Sequence, residues 1–283
     1  MSVVAEQSLE RAKARHARRA LARRRGVGRA VLLALVPLAL LIGAWSLLAY
    51  VLDVPPYIVA RPLDLLDQLA EYRGPIVQRS LRTALGALGG FAVGGVAGFV
   101  LACLVCSRKA LIDALLPLAV AANAVPLLVF APVSVLIFGF GATSVIAVVA
   151  VVCFFPVFSN ALIGLRSLDA GALDLLASLS ASRGAVLRKA RIPASAPFVF
   201  AALRTTAAVS VSAALVAEYF GAGKEGIGDW LLLRLRLLDL AGAFAALLVI
   251  TAMGVALYGA VALAERLLAP WQPHTRRSGE DRR

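Results

Sequence analysis

Apolar and charged positions alternate in long blocks along this chain, and the blocks predict helices that cross a lipid bilayer. Six apolar runs lie near the ~20 residues that an α-helical span needs: 30–52, 83–105, 114–138, 143–165, 196–220 and 240–264. A polar segment, 53–82, separates the first run from the second, and a second long polar segment, 166–195, separates the fourth from the fifth. The expected class is an all-α integral membrane protein with six transmembrane helices. Its divisions are a basic tail (1–29), a first span (30–52), an external segment (53–82), a membrane core (83–265) and a second tail (266–283).

Composition agrees with the pattern. The 283 residues are 61% hydrophobic and 16% charged, too little charge to cover the surface of a soluble domain of this length. The net charge of +13 does not mark a nucleic-acid binder, because the basic residues flank apolar runs and form no face with aromatic partners. They are also lopsided. The two tails and the breaks after the second and fourth runs hold 21 Lys and Arg; the opposite side holds 7. The positive-inside rule then puts both termini in the cytoplasm. The first run exceeds the ~7–15 residues of a signal-peptide core and no A-x-A site follows, so it is expected to be a retained span.

The inventory of reactive groups argues against catalysis. His16 and His274 both fall in the tails. Cys103 and Cys106 form a C-x-x-C inside an apolar run with no second pair and no histidine nearby, which reads as helix packing, as does Cys153. No catalytic residue, metal site or bound cofactor is expected.

Several spans carry more than hydrophobicity. In the second, Gly86, Gly90, Gly94 and Gly98 repeat every four residues, a smooth ridge that lets another helix approach backbone to backbone. The third contains Pro117, Pro126 and Pro132, with Asn123 just before Pro126. Each proline removes a donor and bends its helix, and freed carbonyls in a membrane are tolerated against protein or water. Asn123 and Pro126 are therefore candidates for a solute pathway. The fifth span sets Thr205, Thr206, Ser210 and Ser212 among alanines; the pairs Thr205/Ser212 and Thr206/Ser210 are both expected on one broad face, a polar wall of that pathway. Arg204, about 12 Å into this span at 1.5 Å per residue, is expected to snorkel to the cytoplasmic interface. Glu218 is expected as an interfacial carboxylate near the outer end.

The segment 166–195 is too long for a simple connector. Leu175, Leu176 and Leu179 are spaced three and four apart, followed by Arg183, Arg188, Lys189 and Arg191. An exposed apolar face on such a loop is a place for another protein to dock. Pro193 and Pro197 are expected to end this helical piece and begin the fifth span.

This segment resembles the EAA loop of binding-protein-dependent ABC importer permeases: E-A-A, three residues, Gly, about ten residues, then an apolar residue and Pro. Asp174 stands for the Glu, Leu175 and Leu176 for the two Ala, Ser180 for the Gly, and Ile192-Pro193 closes the pattern. Serine at the turn departs from it. Arg79-Ser80-Leu81-Arg82-Thr83, Asn123-Ala124-Val125-Pro126, Phe138-Gly139-Phe140-Gly141, Phe155-Pro156, Ala217-Glu218 and Gly226-Ile227-Gly228 are similar to the same family, in its nitrate, sulfonate and taurine branch.

The resemblance implies a MetI-like permease fold of five core helices plus one N-terminal helix. It also implies a permease homodimer in a bacterial inner membrane, two cytoplasmic ABC ATPase subunits and a periplasmic solute-binding protein. Asp174, Leu175, Leu176, Leu179, Ser180, Arg183 and Pro193 would then form the ATPase coupling element. The chain has no G-x-x-x-x-G-K-[ST], so ATP would be bound and hydrolysed by a partner. A small anion is the expected solute, with a thiamine-precursor pyrimidine or a riboflavin-like molecule as alternatives. A secondary transporter would use intramembrane carboxylates or histidines for ion coupling, and the spans offer little beyond Glu218. A membrane enzyme would need convergent acid, base or metal groups.

Overall fold

A computed structural model describes residues 36–37, 39–51, 55, 58–122 and 124–269. Every regular element among them is helical: α1 (Ala39–Val51), α2 (Pro62–Glu71), α3 (Arg73–Val105), α4 (Lys109–Ala122), α5 (Leu127–Phe138), α6 (Ala142–Leu165), α7 (Ala170–Ser178), α8 (Arg183–Val186), α9 (Ile192–Tyr219), α10 (Ile227–Arg236) and α11 (Leu240–Leu268). The chain falls into two units, 1–64 and 65–283. In the first, α1 is a short apolar helix, and a turn at Ile58 is closed by its N–H to the Pro55 carbonyl at 2.9 Å. The part of the first expected span before residue 36, the basic tail and residues 270–283 lie outside the described residues.

Four helices of the second unit are long and apolar enough to cross a membrane: α3, α6, the continuous stretch Arg183–Tyr219 that ends in α9, and α11. The expected third span is two helices. α4 and α5 meet at 100°, the geometry of a broken span or a re-entrant loop, and the two pass the length and apolarity of a span only when taken together. The break falls at the residues before Pro126, whose ψ of 126° lies outside the helical region and which begins α5 without a side-chain cap. Pro117 and Pro132, by contrast, are accommodated inside α4 and α5.

α3 begins at Arg73, ten residues before the expected start, and runs for 33 residues. At 1.5 Å per residue that is about 50 Å, well beyond the ~30 Å of bilayer hydrocarbon. Its polar first turns therefore stand clear of the lipid.

α6 is the central helix. It is apolar on all sides and buries Val145, Val148, Val149 and Cys153 in one core cluster with Val211 and Ala214 of α9 and Ala246 and Ile250 of α11. Near its other end, Phe158, Leu162 and Leu165 join Ala102 and Val105 of α3 and Ile112 of α4 in a second cluster. An all-round apolar helix is the one a bundle encloses.

The glycine ladder packs on this helix. A Cβ at Gly90 would lie 2.8 Å from the Ile146 carbonyl oxygen, at Gly94 2.2 Å from that of Ala150, and at Gly98 2.7 Å from that of Phe154. The opposite face of α3 exposes Leu81, Leu85, Leu88, Val96, Val100 and Leu104, a surface for lipid or a neighbouring subunit.

Pro193 does not start a new helix. Residues Leu187–Arg191 form a π-turn, with the Ile192 N–H reaching the Leu187 carbonyl, and the helix passes through Pro193 and Pro197 without ending. The wider turn absorbs the ring where an α-turn would bring it against a carbonyl.

Candidate functional site

At the α6–α7 end of the bundle, Asp169 closes the start of α7 by accepting the Ala172 N–H at 2.5 Å, the ordinary role of an N-cap aspartate. The helix ends in a Schellman turn. Ser180 N–H bonds the Ala177 carbonyl at 2.9 Å, and Ala181 N–H bonds that of Leu176 at 3.1 Å. Ser180 itself takes φ = 53°, the left-handed conformation that glycine normally supplies. Serine therefore holds the same backbone shape at a cost in conformational energy. Ser182 next caps α8 by accepting the Ala185 N–H at 3.3 Å.

α7 buries none of its residues. Leu175 and Leu179 are 61% and 69% exposed, Leu176 is half-buried, and Asp174 and Arg183 are exposed. The outward apolar face consists of Leu175 and Leu179, which lie about 40° apart around the helix. Leu176 lies at its edge.

Of the expected pathway residues, Asn123 falls outside the described residues and Pro126 is exposed at the head of α5. The hydroxyls of α9 divide between two faces. Thr205 and Ser212 are exposed, whereas Thr206 and Ser210 are buried, each back-bonded to its own helix at 2.8 Å through the carbonyls of Ala202 and Ala207. Arg204 does not snorkel alone: its Nε lies 3.3 Å from Glu265 Oε2 of α11.

The opposite end of α9 holds a network that sequence reasoning missed. Glu218, expected as an interfacial carboxylate, is buried inside the protein, 4% exposed. Its carboxylate accepts the Thr83 hydroxyl, at 2.9 and 2.8 Å to its two oxygens, and the Gly228 N–H at 2.9 Å. The Thr83 oxygen in turn accepts the Ile227 N–H at 2.9 Å. A Cβ at Gly226 would come 2.1 Å from the Glu218 carboxyl carbon, and one at Gly228 2.6 Å from the Leu215 carbonyl oxygen, so glycine at both positions makes room for the acid. Arg79 reaches Asp229 at 3.1 Å and the Gly226 carbonyl at 3.3 Å. Arg82 pairs with Glu225. Arg234 lies over the rings of Trp230 and Tyr72, at 4.1 and 4.2 Å from their centroids. Charge, aromatic faces and backbone donors thus fasten the α9–α10 connection to the first turns of α3. The clues were Ala217-Glu218 and the Gly-x-Gly at 226–228, read only as resemblance.

Among the described residues, no group of three or more His, Cys, Asp or Glu is placed to hold a metal ion. The described residues form a bundle with one end fastened by this network and an apolar helix exposed at the other.

Residues 94–270 match the family model described as the binding-protein-dependent transport system inner membrane component. The chain belongs to that family. The permease is 30% identical to the riboflavin transport system permease protein of Chloroflexus aurantiacus over 239 residues, 84% of this chain and 89% of the relative. It is 28% identical to the formylaminopyrimidine transport permease protein of Halalkalibacterium halodurans (79% and 86%), and 27% identical to the taurine transport system permease protein of Escherichia coli (87% and 91%). It is thus a multi-pass inner-membrane transport subunit of an ABC importer for small solutes. Its family assigns it a partner ATPase and a solute-binding protein.

Proposed function

We propose that this permease is the six-span, N-in/C-in membrane half of a homodimeric importer, driven by two ATPase subunits that grip α7. The observation that carries this is the capped helix α7, whose Leu175 and Leu179 stand exposed at the positions that match the EAA loop. An apolar knob on a structured elbow suits insertion into a groove of a soluble partner. Closure of the ATPase pair would pull α7, and the π-turn between α8 and α9 would carry that pull into the span bearing Thr205 and Ser212. The 21-to-7 split of basic residues supports the orientation.

For the solute, the proposal is a neutral nitrogen heterocycle of the aminopyrimidine or flavin kind. The cation Arg204 on α9 is matched by Glu265, and the exposed face of that helix offers hydroxyls and alanines, a surface suited to an uncharged polar ring. The riboflavin and formylaminopyrimidine relatives each align over most of this chain. The taurine relative, aligned over 87% of the chain, supports a small sulfonate as the second reading.

The test is uptake into proteoliposomes that contain the permease, its ATPase and its binding protein, with labelled formylaminopyrimidine, riboflavin and taurine offered separately. ATP-dependent uptake of either heterocycle supports the proposal; uptake of taurine alone selects the second reading. Uptake that persists without the ATPase contradicts both.

A further inference from the structure

The space between α7 and the bundle is a cleft of about 400 Å³. It sits where the spans end: Cys106 closes α3, and Leu165 is the last residue of α6. Three cations from three different elements line it: Lys109 opening α4, Arg166 after α6, and Arg191 in the π-turn. Among the described residues, no Asp or Glu lines it. None of the three cations makes an ion pair with a described carboxylate. Arg191 is held in place by its hydrogen bond to the Cys106 carbonyl at 3.1 Å, while Lys109 and Arg166 are exposed. Ile112, Leu165 and Leu173 supply an apolar wall beside the charges.

We propose that this cleft binds the phosphate of an anionic phospholipid from the leaflet at this end of the bundle, with the lipid bridging α7 to the span ends. Three like charges that converge without a counter-ion among the described residues call for an anion. Basic pockets between helices at the cytoplasmic surface are the form that lipid phosphate recognition takes. The apolar wall would meet the glycerol and the first methylenes, which a free phosphate would leave bare. A docked protein fits less well. Leu173 lines the cleft, whereas Leu175, about 200° further around α7, is exposed, so the face proposed for the ATPase points elsewhere. The inference rests on the membrane placement of this end and is independent of the solute.

The test is native mass spectrometry of the full-length permease purified in detergent and titrated with phosphatidylglycerol, phosphatidylcholine or inorganic phosphate. Wild type should hold phosphatidylglycerol in preference to phosphatidylcholine. The Lys109→Gln/Arg166→Gln double variant should bind it about tenfold or more weakly, as expected for two lost surface charges. Lys109→Gln alone, at an exposed position, should give a smaller loss in the same direction. Arg108→Gln removes a neighbouring cation that does not line the cleft and should leave binding unchanged. An equal loss with Arg108→Gln, equal retention of both lipids, or tight binding of inorganic phosphate in place of lipid would each overturn the proposal.

Discussion

Thr83 and Glu218, separated by 135 residues, meet at 2.8 Å inside the bundle, and the same threonine oxygen accepts the Ile227 N–H at 2.9 Å. One hydroxyl thereby serves a buried carboxylate and a buried amide from two different elements. It is the point at which α3, α9 and the start of α10 are tied together.

Thr83→Val keeps the shape and removes the hydroxyl. It leaves the Ile227 N–H without its acceptor and takes a donor from Glu218, a loss of about 1–3 kcal/mol for each group left unpaired in the interior. A lower thermal midpoint for the purified permease is expected. Gly226→Ala should also lower the midpoint, since its Cβ would push the Glu218 carboxyl, 2.1 Å away, off its bonds to Thr83 and Gly228.

Gly94→Ala and Gly74→Ala form a matched pair on α3. The first drives a methyl group to 2.2 Å from the Ala150 backbone oxygen; the second meets nothing within 4 Å. Overpacking at Gly94 is expected to cost about 1–3 kcal/mol or more, with Gly74→Ala neutral or slightly stabilising through helix propensity. Thermal unfolding in detergent separates the two.

Ser180→Gly relieves a left-handed serine at φ = 53° and should stabilise the α7 turn by up to about 1 kcal/mol. Because α7 buries no residue, the change belongs to local opening and not to global melting. Hydrogen exchange over residues 170–181 is the measurement, with slower exchange expected for the glycine variant.

Arg204 and Glu265 lie 61 positions apart, and removing either leaves the other half-sheltered charge without its partner. Arg204→Met and Glu265→Met should each destabilise, and the double variant should recover part of the loss, because replacing a partly sheltered pair by apolar groups is cheaper than leaving one charge without its partner. A double-mutant cycle on thermal midpoints reads the coupling.

Hydropathy alone located α3, α6, α9 and α11, since a lipid span must be apolar over its whole length. It placed the start of α3 ten residues late, because the helix continues into water where apolarity is no longer required. The four-residue glycine spacing announced a close helix contact, but nothing local to α3 names α6 as the partner. The same limit applies at Arg204 and Glu218. Each reads as an interfacial charge in its own window, and each is neutralised or buried by residues far along the chain. The elbow at 166–195 was legible as a leucine-bearing helical piece, but its caps at Asp169 and Ser182 were not. The π-turn that carries Pro193 was not, because proline read one residue at a time signals an end. The short helices α2 and α10 lack the length that makes a span visible; α2 lay within the polar segment 53–82, and α10 was not read as a helix at all.

The central claim is that exposed Leu175 and Leu179 transmit the work of the ATPase. Its most direct measurement is co-purification of the ATPase with Leu175→Asp/Leu179→Asp permease, alongside the thermal midpoint of the permease itself. Both side chains are solvent-facing, so the account predicts an unchanged midpoint and loss of the ATPase from the complex. Full retention of the ATPase by a folded double variant would contradict it.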